Sequence, residues 1–412
     1  METPRSRQIV IAGAGIAGLT AAIAFARKGF SVQLYEQAPE LEEAGAGLQL
    51  SPNATRLLDG LGVLEFLRPA AVRPERIDLR GARRGKAIAS ITLGAAAESR
   101  WGAPYLVAHR ADLQSALMAR AAREHDIKLV TGARVADAAL HARGATVSIE
   151  RRGRIDEVSC LLLVGADGVR SSVRGLGRGA RTDQPSGHVA WRSTIRREGR
   201  TGTALADAIS DDAVTVFLHR RFHLVVYPIR SGTALNLVAI TRGGAELARA
   251  GATDPAPLAA AMRGCRGPLK TLVQDAAPWT VWPVSVVDER ISWSDGQGVV
   301  LIGDAAHAMT PFAAQGAAMA IEDAVTLADL VAARPGDMAG ALSLYDATRR
   351  PRIQQVAARG RFNHFAWHAR FPLSLGRDMV MKLRASRLAA DLDWLYGHDA
   401  RTAATPAAAK AK

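Results

Sequence analysis

The chain has 412 residues, 48% hydrophobic and 22% charged, a composition typical of a folded protein with room for two domains. No segment contains the roughly 20 consecutive apolar residues of a transmembrane helix, and the N-terminus lacks the apolar stretch of a secretory signal. The formal net charge of +14 comes from arginines spread along the chain, without a basic run or interleaved basic and aromatic residues. We therefore expect a cytoplasmic protein without a nucleic-acid or membrane partner.

The first residues of the chain predict a unit that binds a dinucleotide. The apolar run QIVIA at residues 8–12 predicts a buried strand, and a G-x-G-x-x-G turn and an apolar helix follow it. A second strand, SVQLYE, ends at an acid that can accept hydrogen bonds from ribose hydroxyls. Glycines in this pattern let the backbone approach a pyrophosphate at the helix N-terminus. The residues predicted to contact the nucleotide are Gly13, Gly15, Ile16, Ala17, Gly18, Glu36 and Gln37.

Two further junctions precede the middle of the chain. Ser51 and Pro52 predict the N-cap and first position of a helix, directly after the glycine-rich segment GAGLQL. An amphipathic helix is expected to begin with Arg110. A hairpin with its turn at Arg152 and Gly153 then leads to GADGVRSSVR, which predicts another turn followed by a helix.

The composition changes after about residue 187. Three segments, VAWRSTI, AVTVFLHRRFHLVVYPI and TALNLVAITR, predict an antiparallel meander, and the apolar strand GVVLIGD then returns to the earlier pattern. We therefore expect residues 1–72, 101–182 and 283–355 to form one discontinuous domain. Residues 73–100 and 183–282 would form a sheet domain inserted in it, residues 356–399 a helical region and residues 400–412 a flexible tail.

Three motifs in this order resemble those of the single-component FAD-dependent aromatic hydroxylases, the flavoprotein monooxygenases related to salicylate hydroxylase and para-hydroxybenzoate hydroxylase. They are the glycine triplet with its acid, ADGVRSSVR at residues 166–174, and GDAAHAMTPFAAQG at residues 303–316. The segment YDATRRPR at residues 345–352 most resembles the family members related to salicylate hydroxylase. The resemblance implies an α/β fold: a Rossmann-like FAD-binding domain of the para-hydroxybenzoate hydroxylase type, an inserted antiparallel-sheet substrate domain, and C-terminal helices.

The same resemblance assigns cofactor roles. The first motif would hold the ADP half of FAD, Arg110 would contact the flavin side of its phosphates, and Asp167 would lie near the pyrophosphate and the nicotinamide donor. Gly303 and Asp304 would bind the ribityl chain, because an acid suits a polyol better than a diphosphate. Gln49 would have a binding role beside the flavin.

The helix that follows the third motif would complete the flavin site. It begins with Gly316 and Ala317, and the resemblance directs its N-terminus at the N1 edge of the flavin ring. A helix N-terminus carries roughly half a positive charge, which suits the negative charge of reduced flavin.

The implied reaction is the hydroxylation of a small aromatic acid such as salicylate, a hydroxybenzoate or a hydroxynicotinate. NADH or NADPH would reduce FAD, and O2 would form a flavin C4a-hydroperoxide that transfers an OH group to the ring. No metal is required, and the protein would be a monomer or a homodimer.

The substrate would lie between the meander and the flavin. Strand alternation puts His223 and Tyr227 on one face, where they could bind or deprotonate a phenol, although core packing of this face is slightly favoured. Pro311 and Phe312 are expected next to the reacting ring. His307 is expected to be structural. Ser171 and Arg174 either contribute to the site or only cap and pair within their own helix, and the sequence favours neither alternative.

Other functions agree with parts of the same sequence. One is an FAD monooxygenase acting on a larger polyketide- or quinone-type substrate. Another is a non-catalytic flavin-binding redox sensor. The second and third motifs disfavour this sensor. A third is a nicotinamide-dependent dehydrogenase with a single dinucleotide unit, which a purified protein without flavin absorption would favour.

Overall fold

The computed structural model describes residues 7–41, 46–176, 183–206, 208–244 and 254–404. The strands in these ranges are β1 Gln8–Ala12, β2 Ser31–Glu36, β3 Gly47–Leu50, β4 Arg76–Gly81, β5 Lys86–Thr92, β6 Leu106–His109, β7 Ile127–Thr131, β8 Ala133–His141, β9 Gly144–Arg151, β10 Arg154–Cys160, β11 Leu162–Gly165, β12 Asp183–Arg196, β13 Ala213–His219, β14 Phe222–Ile229, β15 Ala234–Arg242, β16 Thr280–Val287 and β17 Val299–Leu301. The α-helices are α1 Ile16–Ala26, α2 Pro52–Gly60, α3 Leu64–Leu67, α4 Gly94–Trp101, α5 Arg110–Ala121, α6 Arg200–Ala206, α7 Ala256–Met262, α8 Leu272–Asp275, α9 Asp304–His307, α10 Gly316–Ala333, α11 Met338–Trp367, α12 Leu373–Leu383 and α13 Asp393–Tyr396.

A five-stranded parallel sheet forms the centre of the first domain. Its strand order is β17-β11-β1-β2-β7, and every neighbouring pair is parallel. These strands are short apolar runs because helices cover the sheet, and β1 and β11 are almost completely buried. Since all five strands point the same way, the three motifs that follow β1, β11 and β17 lie at one edge of the sheet.

A seven-stranded sheet forms the second layer, in the order β16-β12-β15-β14-β13-β4-β5. The meander β13-β14-β15 is antiparallel as expected, whereas β4 pairs with β13 in parallel. One face of this sheet packs on its own core, which contains Trp191, Phe217 and Trp279. Strand β16 continues to Val287, beyond the expected end of the sheet domain at residue 282, and the domain boundaries stay a prediction.

Two smaller sheets complete the fold. Strands β8, β9 and β10 form an antiparallel sheet, and Arg152 and Gly153 adopt positive φ angles of 50° and 74° at the hairpin turn expected there. Strands β3 and β6 form a two-stranded antiparallel ribbon. This ribbon brings the segment around Gln49 next to the segment that leads into α5.

The C-terminal region is helical but differs in detail from the expectation. Helix α11 crosses residue 356, the expected start of the helical region, and contains Pro351 in its interior. No helix in the described ranges is long and apolar enough to cross a bilayer. Large apolar side chains are nevertheless exposed at the end of α11 and on α12, among them Phe365, Leu373 and Leu383. Residues 405–412, most of the expected tail, lie outside the described residues.

Candidate active site

The first two motifs pack against each other through their backbones. Gly13 has a φ of +97°, and a Cβ at this position would lie 2.6 Å from the carbonyl oxygen of Ala166. A Cβ on Gly18 would overlap the carbonyl oxygen of Gly13, so both positions require glycine. Gly15 differs from them, because nothing lies within 4 Å of the position its Cβ would take. The helix N-terminus therefore borders open space, as a bound phosphate needs.

The acid at the end of β2 is held beside this turn. One Glu36 oxygen accepts a hydrogen bond from the Ala14 N–H at 2.8 Å, and the other accepts from the Ala38 N–H at 2.9 Å. Gln37 is exposed next to it. The carboxylate thus has a fixed position near the start of α1, where the sequence predicts the adenosine ribose.

The second motif forms a compact turn rather than the expected helix. The Asp167 carboxylate accepts hydrogen bonds from the Ser171 hydroxyl at 2.5 Å and the Ser172 N–H at 2.7 Å, and only a 3-10 turn, Val173–Gly175, follows. Arg174 donates to the carbonyl oxygen of Ala305 at 2.8 Å, which connects the second motif to the third. Ser171 and Arg174 thus make hydrogen bonds within the protein, and a cofactor contact of either, or of Asp167, stays a prediction.

The third motif lies directly beside the first. Gly303 has a φ of +59°, and a Cβ there would lie 3.2 Å from the Cβ of Ala17 and 3.1 Å from that of Ala320. Asp304 is exposed at the start of α9. Gly303 is thus the point at which α1, α10 and the third strand-turn junction meet.

Helix α10 directs its N-terminus at open space. Nothing lies within 4 Å of a Cβ on Gly316, and no side chain caps the helix, because Gln315 turns back and donates to the Ser51 hydroxyl at 2.9 Å. The region has what FAD requires: two helix N-termini that border open space, with Glu36 and Asp304 available for hydroxyl groups. Arg110, exposed at the start of α5, is the cationic residue expected beside them.

A network of buried charged side chains connects α10 with α11. Arg349 of α11 donates to Asp323 at 2.7 Å and to Glu322 at 2.6 Å, and Arg352 donates to Glu322 at 2.9 Å. Asp323 also accepts from the Gly303 N–H at 2.9 Å and lies 2.5 Å from His307 Nε2. His307 is therefore structural, as expected.

The same network determines the ionisation of its two acids. Burial raises the pKa of Glu322, but the charges of Arg349 and Arg352 outweigh it and lower that pKa to about 2. Burial likewise opposes ionisation of Asp323, while the charges of His307 and Arg349 lower its pKa to about 2. Both acids are consequently ionised at neutral pH.

A cavity of about 960 Å³ lies between the seven-stranded sheet, the third motif and the C-terminal helices. It brings together His223 of β14 with Pro311 and Phe312, all three expected at the substrate. Gln49 also lines it and accepts a hydrogen bond from the Tyr105 hydroxyl at 2.6 Å. Tyr227 lies on the same strand face as His223 but packs against Gly47 and is not among the lining residues, so its catalytic role stays a prediction.

His223 has an aromatic environment. It is 2% exposed, and its ring centroid lies 5.5 Å from Phe312 and 5.0 Å from Trp367. Its Nδ1 lies 3.2 Å from Nε2 of His368. Burial, followed by the neighbouring imidazoles, lowers the pKa of His223 well below its usual value, so the ring is neutral and able to accept a proton.

Sequence reasoning missed several residues of this cavity. Tyr105 directly precedes β6, and the pairing of β6 with β3 brings it to Gln49. Arg359 and Tyr396 come from the C-terminal helices, which the sequence identifies only as helical. The Nε–H of Arg359 is buried and has no hydrogen-bond partner among the described residues. An arginine within a long helix of mixed composition carries no local signal of this position.

Comparison with known proteins identifies close relatives of this arrangement. Residues 6–360 match the family model described as the FAD binding domain. The chain is 32% identical over 401 residues to 3-hydroxybenzoate 6-hydroxylase of Polaromonas naphthalenivorans, covering 96% of this chain and 97% of that protein. It is 33% identical over 410 residues to 3-amino-4-hydroxybenzoate 2-monooxygenase of Streptomyces cremeus, covering 98% and 97%.

Solved structures share the whole fold. Klebsiella pneumoniae HpxO, complexed with FAD and uric acid, superimposes with a TM-score of 0.79 at 25% identity, covering 94% of this chain and 96% of that one. A salicylate hydroxylase substrate complex superimposes with a TM-score of 0.78 at 22% identity, covering 98% of both chains.

Proposed function

This chain belongs to the FAD binding domain family and is a flavoprotein aromatic hydroxylase, and we propose that it uses NAD(P)H and O2 to hydroxylate a small phenolic acid of the hydroxybenzoate type. FAD is its cofactor. Two relatives that match nearly its whole length are named for hydroxybenzoate substrates, which supports this substrate class.

The observation that carries the proposal is the unpaired Nε–H of Arg359 in a cavity whose lining is mostly apolar and aromatic. Of the three arginines that line the cavity, Arg377 is bound to Asp378 at 2.6 Å and Arg384 to Asp391 at 2.8 Å. Arg359 has a buried Nε–H without a partner in the described part of the chain. A carboxylate on the substrate would satisfy this buried donor.

The cavity residues have distinct tasks in such a reaction. Bound FAD supplies electron transfer from the nicotinamide and activation of O2. His223 accepts the proton of the substrate phenol and so makes the ring more electron-rich. Tyr105, whose pKa burial raises well above the usual value, stays protonated and holds the Gln49 side chain in place through its hydrogen bond. Pro311 and Phe312 hold the ring and exclude water.

The test is a comparison of matched substrates with the FAD-loaded protein. We expect 3-hydroxybenzoate to stimulate NADH or NADPH oxidation far more than 3-methylphenol, which has the same hydroxyl but no carboxylate. Arg359→Leu should raise the KM for 3-hydroxybenzoate about tenfold or more, the effect of losing a hydrogen bond to a charged group, and should leave 3-methylphenol unaffected. Arg384→Leu is the matched control, because Arg384 is already paired with Asp391. Equal stimulation by acid and non-acid phenols would contradict the proposal.

The dimensions of the cavity favour a second candidate. Its volume of about 960 Å³ is at the upper end for small-molecule sites and exceeds the needs of one benzoate ring. Exposed apolar side chains, including Leu373 and Val380, lie among its lining residues. A polyketide- or quinone-type substrate would fill such a cavity. Stronger stimulation by hydroxynaphthoquinones than by hydroxybenzoates would favour this candidate.

A further inference from the structure

Four imidazole rings, those of His188, His223, His364 and His368, form a cluster, and of these four only His223 lines the cavity. His223 Nδ1 lies 3.2 Å from His368 Nε2, and His188 Nε2 lies 3.3 Å from His364 Nε2. The two pairs make a direct ring contact through His364 and His368, whose centroids are 4.7 Å apart. The cluster thus consists of two hydrogen-bonded pairs, and only one of them includes the cavity residue.

The pair formed by His223 and His368 crosses the cavity wall. His223 lines the cavity and is buried, whereas His368 lies behind it, is not a lining residue, and is partly exposed to solvent. In the described ranges no three or more His, Cys, Asp or Glu side chains form a group that could hold a metal ion. The close contact between the two rings is a hydrogen bond between imidazole nitrogens.

Deprotonation of a phenol requires that the proton leave His223 again, and the pair of imidazoles offers a path for it. A phenol has a pKa of about 10, far above that of a buried imidazole, so His223 cannot keep a substrate proton in addition to its own. A neutral imidazole can, however, accept a proton on one nitrogen while it releases one from the other. The rate at which the proton leaves then depends on the ring that accepts a hydrogen bond from the second nitrogen.

We propose that His368 is the proton outlet of the active site and relays to solvent the proton that His223 takes from the substrate phenol. This inference rests on the hydroxylase function proposed above. The phenol O–H bond breaks as its proton moves to His223 Nε2, the Nδ1 proton of His223 moves to His368 Nε2, and the Nδ1 proton of His368 moves to water. One proton enters the pair and one leaves, and the phenolate stays in the cavity. The reverse transfer at product release restores both rings.

The surroundings of His368 suit a group that passes a proton on. Burial, then His364, His188, Arg242 and His219, lower the pKa of His368 to about 4. These neighbours come from α11, β12, β15 and β13, and all of them disfavour a positive charge on the His368 ring. A proton that reaches His368 consequently continues to solvent and does not remain on the ring.

The test follows phenolate formation directly. Oxidised, FAD-loaded protein is mixed with 3-hydroxybenzoate in a stopped-flow instrument, and the phenolate absorbance is recorded. Because a relay changes the rate of proton loss and not its equilibrium, we expect His368→Phe and His368→Gln to slow the absorbance change at least about tenfold with an unchanged final amplitude. Added imidazole buffer should restore part of the rate. His364→Gln, outside the hydrogen-bonded path but beside His368, should slow the rate far less than either His368 variant.

The outcomes separate the relay from the proposed function. A wild-type protein that does not hydroxylate 3-hydroxybenzoate overturns the proposed function and, with it, the relay. Hydroxylation with equal phenolate rates in wild type and both His368 variants overturns the relay alone. Equal slowing in the His368 and His364 variants also overturns it, because general disturbance of the cluster would then explain the effect.

Discussion

Arg349 Nε donates to Asp323 Oδ1 at 2.7 Å, and both side chains are fully buried. This pair joins α11 to the helix whose N-terminus borders the predicted flavin position. The other oxygen of Asp323 accepts from the backbone of Gly303, in the third motif. A residue 46 positions after the start of the third motif thus helps to fix the cofactor loop.

Removing this arginine should destabilise the fold and weaken cofactor binding together. Arg349→Leu leaves Glu322 and Asp323 buried without their main counter-charge, and we expect a loss of about 3–5 kcal/mol in the free energy of unfolding. Urea unfolding with and without FAD measures both effects. Arg361→Leu is the control, since Arg361 and Glu289 are 63% and 54% exposed and their pair is worth at most about 1 kcal/mol. Equal losses in the two variants would contradict this account.

Acid should weaken the fold through the same two carboxylates. Their pKa values fall on folding from 4.5 for Glu322 and 3.8 for Asp323 to about 2. A lowered folded-state pKa contributes stability above the unfolded pKa, and this contribution is lost as pH falls toward the folded value. We expect the free energy of unfolding to decrease between about pH 4.5 and pH 2. The double variant Glu322→Gln, Asp323→Asn should show a smaller decrease. An equal slope in the double variant would assign the acid sensitivity to other groups.

Gly15→Ala should separate cofactor binding from folding. Nothing in the protein lies within 4 Å of the added methyl group, and Gly15 has a negative φ of −76° that alanine tolerates. The stability of the FAD-free protein should change by less than about 1 kcal/mol, while the methyl group occupies space that a pyrophosphate needs, so the Kd for FAD should rise at least about tenfold. Flavin fluorescence titration measures the Kd. Gly376→Ala on α12, equally open, is the control. An unchanged Kd in Gly15→Ala would place the cofactor elsewhere.

Phe312→Ala should loosen the substrate site while FAD stays bound. Phe312 is 2% exposed, packs on Ala190 and Ile240, and lines the cavity beside His223. Its loss should admit water, raise the KM for the aromatic substrate and increase hydrogen peroxide released per NADH oxidised. Phe312→Leu, which keeps most of the apolar volume, should show a smaller effect. Unchanged KM and peroxide yield would assign Phe312 to packing alone.

Features that depend on neighbouring residues could be predicted from the sequence. The unit β1-α1-β2, the helix start after Ser51 and the hairpin turn at Arg152 follow from local patterns of glycine, proline and apolar residues. The family and the fold expected from the three ordered motifs are confirmed by the comparisons. Motif order is informative because parallel strands bring each motif to the same sheet edge.

Features that depend on packing between distant segments could not be predicted. Tyr105 reaches Gln49 only through strand pairing, and Arg359 and His368 reach the cavity region only through the course of α11. The segment after Asp167 predicts a helix, but its carboxylate binds the N–H groups of only a single 3-10 turn, Val173–Gly175, and the chain then continues without a helix. No local sequence pattern around Tyr105, Arg359 or His368 indicates where these side chains lie in the fold.

The most direct test of the central claim is the product formed per nicotinamide consumed. FAD-loaded protein is incubated with 3-hydroxybenzoate, NADH or NADPH and O2, and the aromatic products are identified by mass spectrometry. We expect a dihydroxybenzoate that contains one atom from labelled O2, in near-equal amount to the nicotinamide oxidised. Nicotinamide oxidation that no hydroxybenzoate stimulates, or that yields only hydrogen peroxide with every member of a hydroxybenzoate and hydroxynaphthoquinone panel, would contradict the account.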